Sequence, residues 1–170
     1  MARIGRKGRL WLRAFHLFLM GLYIGALVSQ VVIFASTGSA RSDGGLQAMY
    51  KIPDSLTIVF VLGMSGTIIT GLLLAWLTTW GFFKHKWVIY TLAVAVLITL
   101  VNFTLSEPLV SKLAALADAE GLSALQNPEY ISAWNRYLIL RAVCSLLLIS
   151  AAFVSVIKPW RKREEAEATS

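Results

Sequence analysis

Four long apolar stretches, near residues 10–35, 54–80, 87–106 and 136–157, alternate with short polar ones along this chain. Each reaches the ~20 residues that cover the hydrocarbon of a bilayer. None breaks into the ~10-residue alternating segments of a membrane barrel. The pattern therefore predicts an all-α membrane protein, a bundle of four transmembrane helices. In the first stretch His16, Tyr23 and Gln30 recur every seventh residue. At ~100° per residue they stay close to one line of a helix. Gly21, Gly25 and Ser29 recur every fourth residue on the opposite side. The second stretch carries a matching line of Gly63, Thr67, Gly71 and Ala75. Such small-residue lines let backbones approach, and here they predict that the first two helices pack through Gly21 and Gly25 against Gly63, Thr67 and Gly71.

The links add detail. Pro53, followed by Asp54 and Ser55, predicts the first turn of the second helix. The only sizeable link, 107–135, begins with Glu107 and Pro108 and places Leu109, Leu113 and Leu116 on one helical face before Gly121. Pro is favoured at a helix start and Gly at its close. A short interfacial helix on the outer membrane surface is expected there, with a substrate lid as the alternative. Residues 164–170 form a polar tail expected to be disordered, so 1–163 is a single domain.

Composition agrees: 57% of the 170 residues are hydrophobic and mean hydropathy is +0.68, outside the range of ordinary globular domains. The formal charge of +7 does not form a patch for nucleic acid, because the basic residues flank the apolar stretches. Eleven Lys and Arg lie in the N-terminal segment, the link around Lys84 and Lys86, and the C-terminal segment; the other two links hold three, Arg41, Lys51 and Lys112. The positive-inside rule then puts both termini in the cytoplasm of a bacterial cell. Trp11, Trp76, Trp80, Trp87 and Trp160 fall near the cytoplasmic ends, with Tyr130, Trp134 and Tyr137 near the outer end of the fourth stretch, as interfacial anchors do. The first stretch is too long for the 7–15-residue core of a signal peptide and reads as an uncleaved span. A single cysteine, Cys144, allows no intramolecular disulfide.

Polar groups within spans mark the candidate chemistry, since a charge at mid-bilayer costs ~3 kcal/mol on insertion scales. Gln30, Asn102, Glu107 and Arg141 all fall in the outer third under this topology. A shared cluster is expected there, with Glu107 and Arg141 as an ion pair. It reads as hydrogen-bonded glue between helices, or alternatively as a substrate or proton site lining a cavity. His16, just inside the cytoplasmic boundary, is the one candidate cofactor ligand, and His85 lies in the basic link on the same side. No zinc-spaced cluster, phosphate-binding glycine loop or Ser/His/Asp set is present in the sequence, which argues against a hydrolase or nucleotide enzyme.

Several short pieces carry a resemblance: Trp11-x4-His16-x6-Tyr23-x-Gly25, Thr70-Gly71-Leu72, Trp80-Gly81-Phe82-Phe83-Lys84-His85-Lys86-Trp87 and Lys158-Pro159-Trp160. Together they resemble a bacterial family of four-helix integral membrane proteins of unknown function. The opening histidine-aromatic-glycine spacing is also distantly similar to the copper-resistance CopD membrane proteins and the HemJ-type protoporphyrinogen oxidases. In those oxidases the first-helix histidine binds haem, a role the resemblance carries over to His16 alone. Lys84 and Lys86 lie in a link, not within a span as the oxidases' lysine does. The expectation is thus a multi-pass protein of the bacterial cell membrane, an accessory protein or a small-solute or metal carrier with no cofactor. A homo-oligomer or a membrane partner is expected to complete it. The alternative is a redox protein that binds haem b through His16.

Overall fold

The computed structural model describes residues 4–78, 81–158 and 160. Trp80, the basic residues Arg161, Lys162 and Arg163 and the 164–170 tail, to which the sequence assigns anchoring, orientation and disorder, lie outside the described residues. Within them the chain is helical throughout its elements: α1 (Arg6–Ala35), α2 (Asp43–Leu77), α3 (Lys86–Val101), α4 (Glu107–Glu120) and α5 (Pro128–Ile157). A π turn, Asn102–Ser106, joins α3 to α4, and 3-10 turns at Thr37–Ser39 and Gly121–Gln126 make the other far-end links. Four helical segments are long and apolar enough to cross a membrane, with α3, the π turn and α4 counting as one.

α1 and α2 lie antiparallel along most of their length. What lets them approach is glycine on α2 alone. A Cβ at Gly63 would sit 2.7 Å from the backbone nitrogen of Tyr23, and one at Gly66 would sit 2.8 Å from Cδ1 of Leu19. A Cβ at Gly71 would sit 3.3 Å from Cε1 of His16. The face α1 presents is therefore His16, Leu19 and Tyr23, the very line predicted to be its polar side. Gly21 and Gly25 are exposed on the other side with nothing within 4 Å, so the predicted glycine-on-glycine contact is not made. The bulky side chains of α1 fill the gap that the glycines of α2 leave open.

α5 packs against α1 and α3, while α2 and α3 hardly meet. The middle of the bundle is filled by Tyr23, Leu27, Phe60, Ile98 and Leu148. A second core, around Phe34, Leu46, Tyr50, Leu113, Tyr130 and Tyr137, builds the end away from the termini. That second core explains two departures from expectation. α2 begins at Asp43, not at Pro53, because its first turns bury Leu46 and Tyr50; Ser42 caps it, its Oγ accepting from Gly45 N at 3.1 Å. α4 is no separate helix resting on a surface. The chain runs from α3 into it without a break, and Leu113 and Ala117 are buried against α2 and α5.

Side-chain hydrogen bonds fasten this end. Trp134 Nε1 donates to Phe34 O at 2.9 Å, and Tyr50 and Tyr130 share a 2.5 Å hydrogen bond between their hydroxyls. Asn127 caps α5 through Glu129 N at 2.8 Å while its amide donates to the Glu120 carboxylate at 2.8 Å. Gly121 ends α4 with φ 59, a conformation L residues rarely adopt, and a Cβ there would stand 2.5 Å from Asp43 Oδ1. That oxygen accepts from Leu122 N at 2.7 Å, tying the start of α2 to the turn after α4.

Candidate functional site

Two places hold polar groups inside the bundle, one in each half. In the half away from the termini, Arg141 of α5 is 5% exposed. Its Nη1 donates to Asn102 Oδ1 at 2.6 Å, its Nη2 donates to Gln30 Oε1, and its Nε donates to Tyr137 Oη at 3.1 Å. The guanidinium carbon also lies 5.3 Å from the ring centre of Phe60 and 5.4 Å from that of Tyr137. One cation thus joins α1, α3 and α5 through neutral acceptors and two aromatic faces. A charge removed from water requires such compensation.

Glu107 is not part of it. It is exposed, and among the described residues it makes no ion pair with Arg141, contrary to expectation. The π turn supplies the reason. Glu107 N bonds back to Asn102 O, a turn one residue wider than an α-turn, and this brings Asn102 and Ser106 into the bundle together. Glu107, one position further, then faces away. Gln30, Asn102 and Arg141 do meet, and Tyr137 and Phe60 join them. Tyr137 shares the α5 stripe with Arg141, four residues away, which is a signal in the sequence. Phe60 carries no such signal.

The other place is a cavity of about 570 Å³ between α1, α2, α3 and α5, in the half that carries the termini. It follows the seam where α2 and α3 hardly meet. Its walls are mostly apolar, with Leu17, Ile68, Leu72, Leu92, Val96 and Leu148 among them. Arg13, His16 and Lys158 also line it, and no carboxylate is among the described residues that do. Lys158 Nζ lies 5.0 Å from the ring centre of Trp87, which forms part of the same wall. The polar outer cluster was the part expected to line a cavity, whereas the space lies in the opposite half.

His16 links the cavity to α2. Its Nδ1 is 2.8 Å from Thr70 Oγ1, and Thr70 Oγ1 is 2.6 Å from Gly66 O. The Thr70 hydroxyl has one hydrogen, which goes to the carbonyl, so its oxygen accepts from His16 Nδ1–H. Hydrogen bonding therefore assigns the proton of a neutral imidazole to Nδ1 and leaves a lone pair on Nε2, which accepts no hydrogen bond from the described residues. Thr67 lines the cavity too, and its buried hydroxyl has no partner. His85 stacks on Trp87 with ring centres 6.2 Å apart and is not part of the cavity wall. Among the described residues there is no group of three or more His, Cys, Asp or Glu placed to hold a metal ion.

No protein-family model, no curated protein and no solved structure matches this chain.

Proposed function

We propose that this chain is a multi-pass protein of a bacterial cell membrane, both termini cytoplasmic, that holds a largely apolar small molecule between its spans. On this reading it is a carrier or accessory protein, not an enzyme. The observation that carries the reading is the cavity. Its 570 Å³ falls within the ~300–1,000 Å³ of small-molecule pockets, and it combines apolar walls with a few polar groups at one end. The Arg141 cluster plays a structural part in this reading, because each guanidinium nitrogen already donates to a protein acceptor. Filling the chamber tests it. Protein purified in mild detergent is extracted with organic solvent and the co-purifying small molecules are measured by mass spectrometry. A compound near one equivalent per chain is expected in the wild type and absent from an Ala95→Phe, Ala151→Phe variant. Equal retention by that variant would overturn the reading.

The assignment of the proton to Nδ1 favours a second reading, in which the molecule is haem b. His16 Nε2 would then hold the iron, kept in orientation by Thr70, and Arg13 and Lys158 would be the cationic groups available to the acidic side chains of the group. The group itself would supply electron transfer. A Soret band lost in His16→Ala, with yield and helicity unchanged, is the expected outcome of that reading. A colourless protein expressed with haem available would end it.

A further inference from the structure

We infer that the chamber takes a single-chain lipophilic weak acid, a molecule with one long apolar chain whose head donates an O–H to Nε2 of His16. This rests on the chamber reading above and narrows it to a chemical class. Three independent observations converge on the head and the chain.

The first is the state of His16. With Thr70 holding the proton on Nδ1, Nε2 can only accept, and it accepts from nothing among the described residues. A wholly apolar occupant would leave that lone pair buried without a partner. An occupant with a hydroxyl, phenol or carboxyl head satisfies it. Thr67 stands on the same wall, one turn before the Gly71 against which His16 rests. Its hydroxyl, in a residue 8% exposed, is likewise without a partner.

The second observation is charge. Arg13 lies one turn before His16 on α1, Lys158 follows the end of α5, and both line the chamber, whose described lining residues include no carboxylate. Two cationic side chains at that end disfavour a cationic head relative to a neutral acid.

The third is shape. The chamber wall on α3 runs from Trp87 to Leu100, about 20 Å at ~1.5 Å per residue. A volume of 570 Å³ drawn out over that length is a slot for one chain and not a pocket for a compact solute. The loose α2/α3 seam beside it gives a chain a way in from the lipid. Carboxylic acids and alkyl hydroquinones share this chemistry, and the experiment separates them.

Full-length protein in discs of phosphatidylcholine is photolysed with a hexadecanoic acid bearing a diazirine in its chain, and the adducts are located by mass spectrometry. Hexadecanoic acid, its methyl ester, an alkyl hydroquinone and that compound's dimethyl ether serve as competitors. Adducts are expected on chamber residues such as Ile68, Leu92 and Leu148. The acid or the hydroquinone, or both, should compete about fivefold better than the blocked partner, the worth of one net hydrogen bond. Whichever of the two competes identifies the head. His16→Phe should keep the adducts and lose the preference, and Thr70→Val, which frees the imidazole proton, should weaken it. Blocked and free heads competing equally, or His16→Phe retaining the preference, would overturn the O–H head while leaving the chamber occupied. Adducts confined to outward residues such as Val61 and Leu146 would overturn the chamber reading itself.

Discussion

At the scale of single residues, the two glycine lines do different work. Gly63→Ala puts a methyl group into the backbone of Tyr23 and should cost about 1–3 kcal/mol as the helices shift apart. Gly25→Ala meets nothing and should be neutral or should stabilise by up to about 1 kcal/mol, since alanine is the better helix former. Unfolding in mixed detergent micelles, followed by circular dichroism, measures both. Arg141 gives a sharper test. Arg141→Met leaves the Gln30 and Asn102 carbonyl oxygens without their donor, at about 1–3 kcal/mol for each acceptor left unsatisfied. Adding Gln30→Leu and Asn102→Leu should restore part of that loss, because an apolar replacement of every member avoids orphaned groups. A triple variant less stable than Arg141→Met alone would show that the guanidinium is held by something other than these amides.

At the scale of elements, the apolar stretches make the four long apolar helical segments legible, and the polar residues interrupting them make the Gln30, Asn102 and Arg141 meeting legible too. What escaped was set by tertiary packing. The start of α2 reads Asp43, Gly44, Gly45, a poor helix opening on propensity, and only burial of Leu46 and Tyr50 against α4 and α5 explains it. Pro53, a plausible first-turn residue, lies within the helix instead. The π turn has no sequence signature, and it is what turns Glu107 away from Arg141. The chamber was invisible because its walls use the same Leu, Ile, Val and Ala as the core; a void has no composition of its own. Gly66, which approaches Leu19, went unnoticed because it falls off the four-residue spacing of Gly63, Thr67 and Gly71. The far-end core also makes a prediction. Gly121→Ala forces a side chain into a left-handed turn and onto the Asp43 carboxylate, at about 1–3 kcal/mol. Hydrogen exchange should then accelerate in α4 and the first turns of α2 while the α1/α2 contact near Gly63 stays protected. Uniform acceleration across all helices would mean that the two cores are one cooperative unit.

At the scale of the whole molecule, the described carboxylates of known side-chain position, Asp43, Glu107, Asp118, Glu120 and Glu129, belong to one end, and the chamber with Arg13 and Lys158 to the other. The proposed orientation is tested in a Cys144→Ala background. Gly38→Cys and Ser123→Cys should react with a membrane-impermeant maleimide in intact cells, and Gly5→Cys only after lysis. The opposite pattern would invert the molecule. The Arg141 cluster has a last consequence, which concerns time. Ribosomes make the chain from its N-terminus, so Gln30 and Asn102 emerge 111 and 39 residues before the arginine that satisfies them. Until α5 arrives, α1 and α3 are separate bodies with bare amides, because α2 touches α1 closely and α3 hardly at all. α5 is therefore the helix that turns a hairpin and a lone helix into a bundle. A chain interrupted before Arg141 would leave the Gln30 and Asn102 amides without the donor that satisfies them.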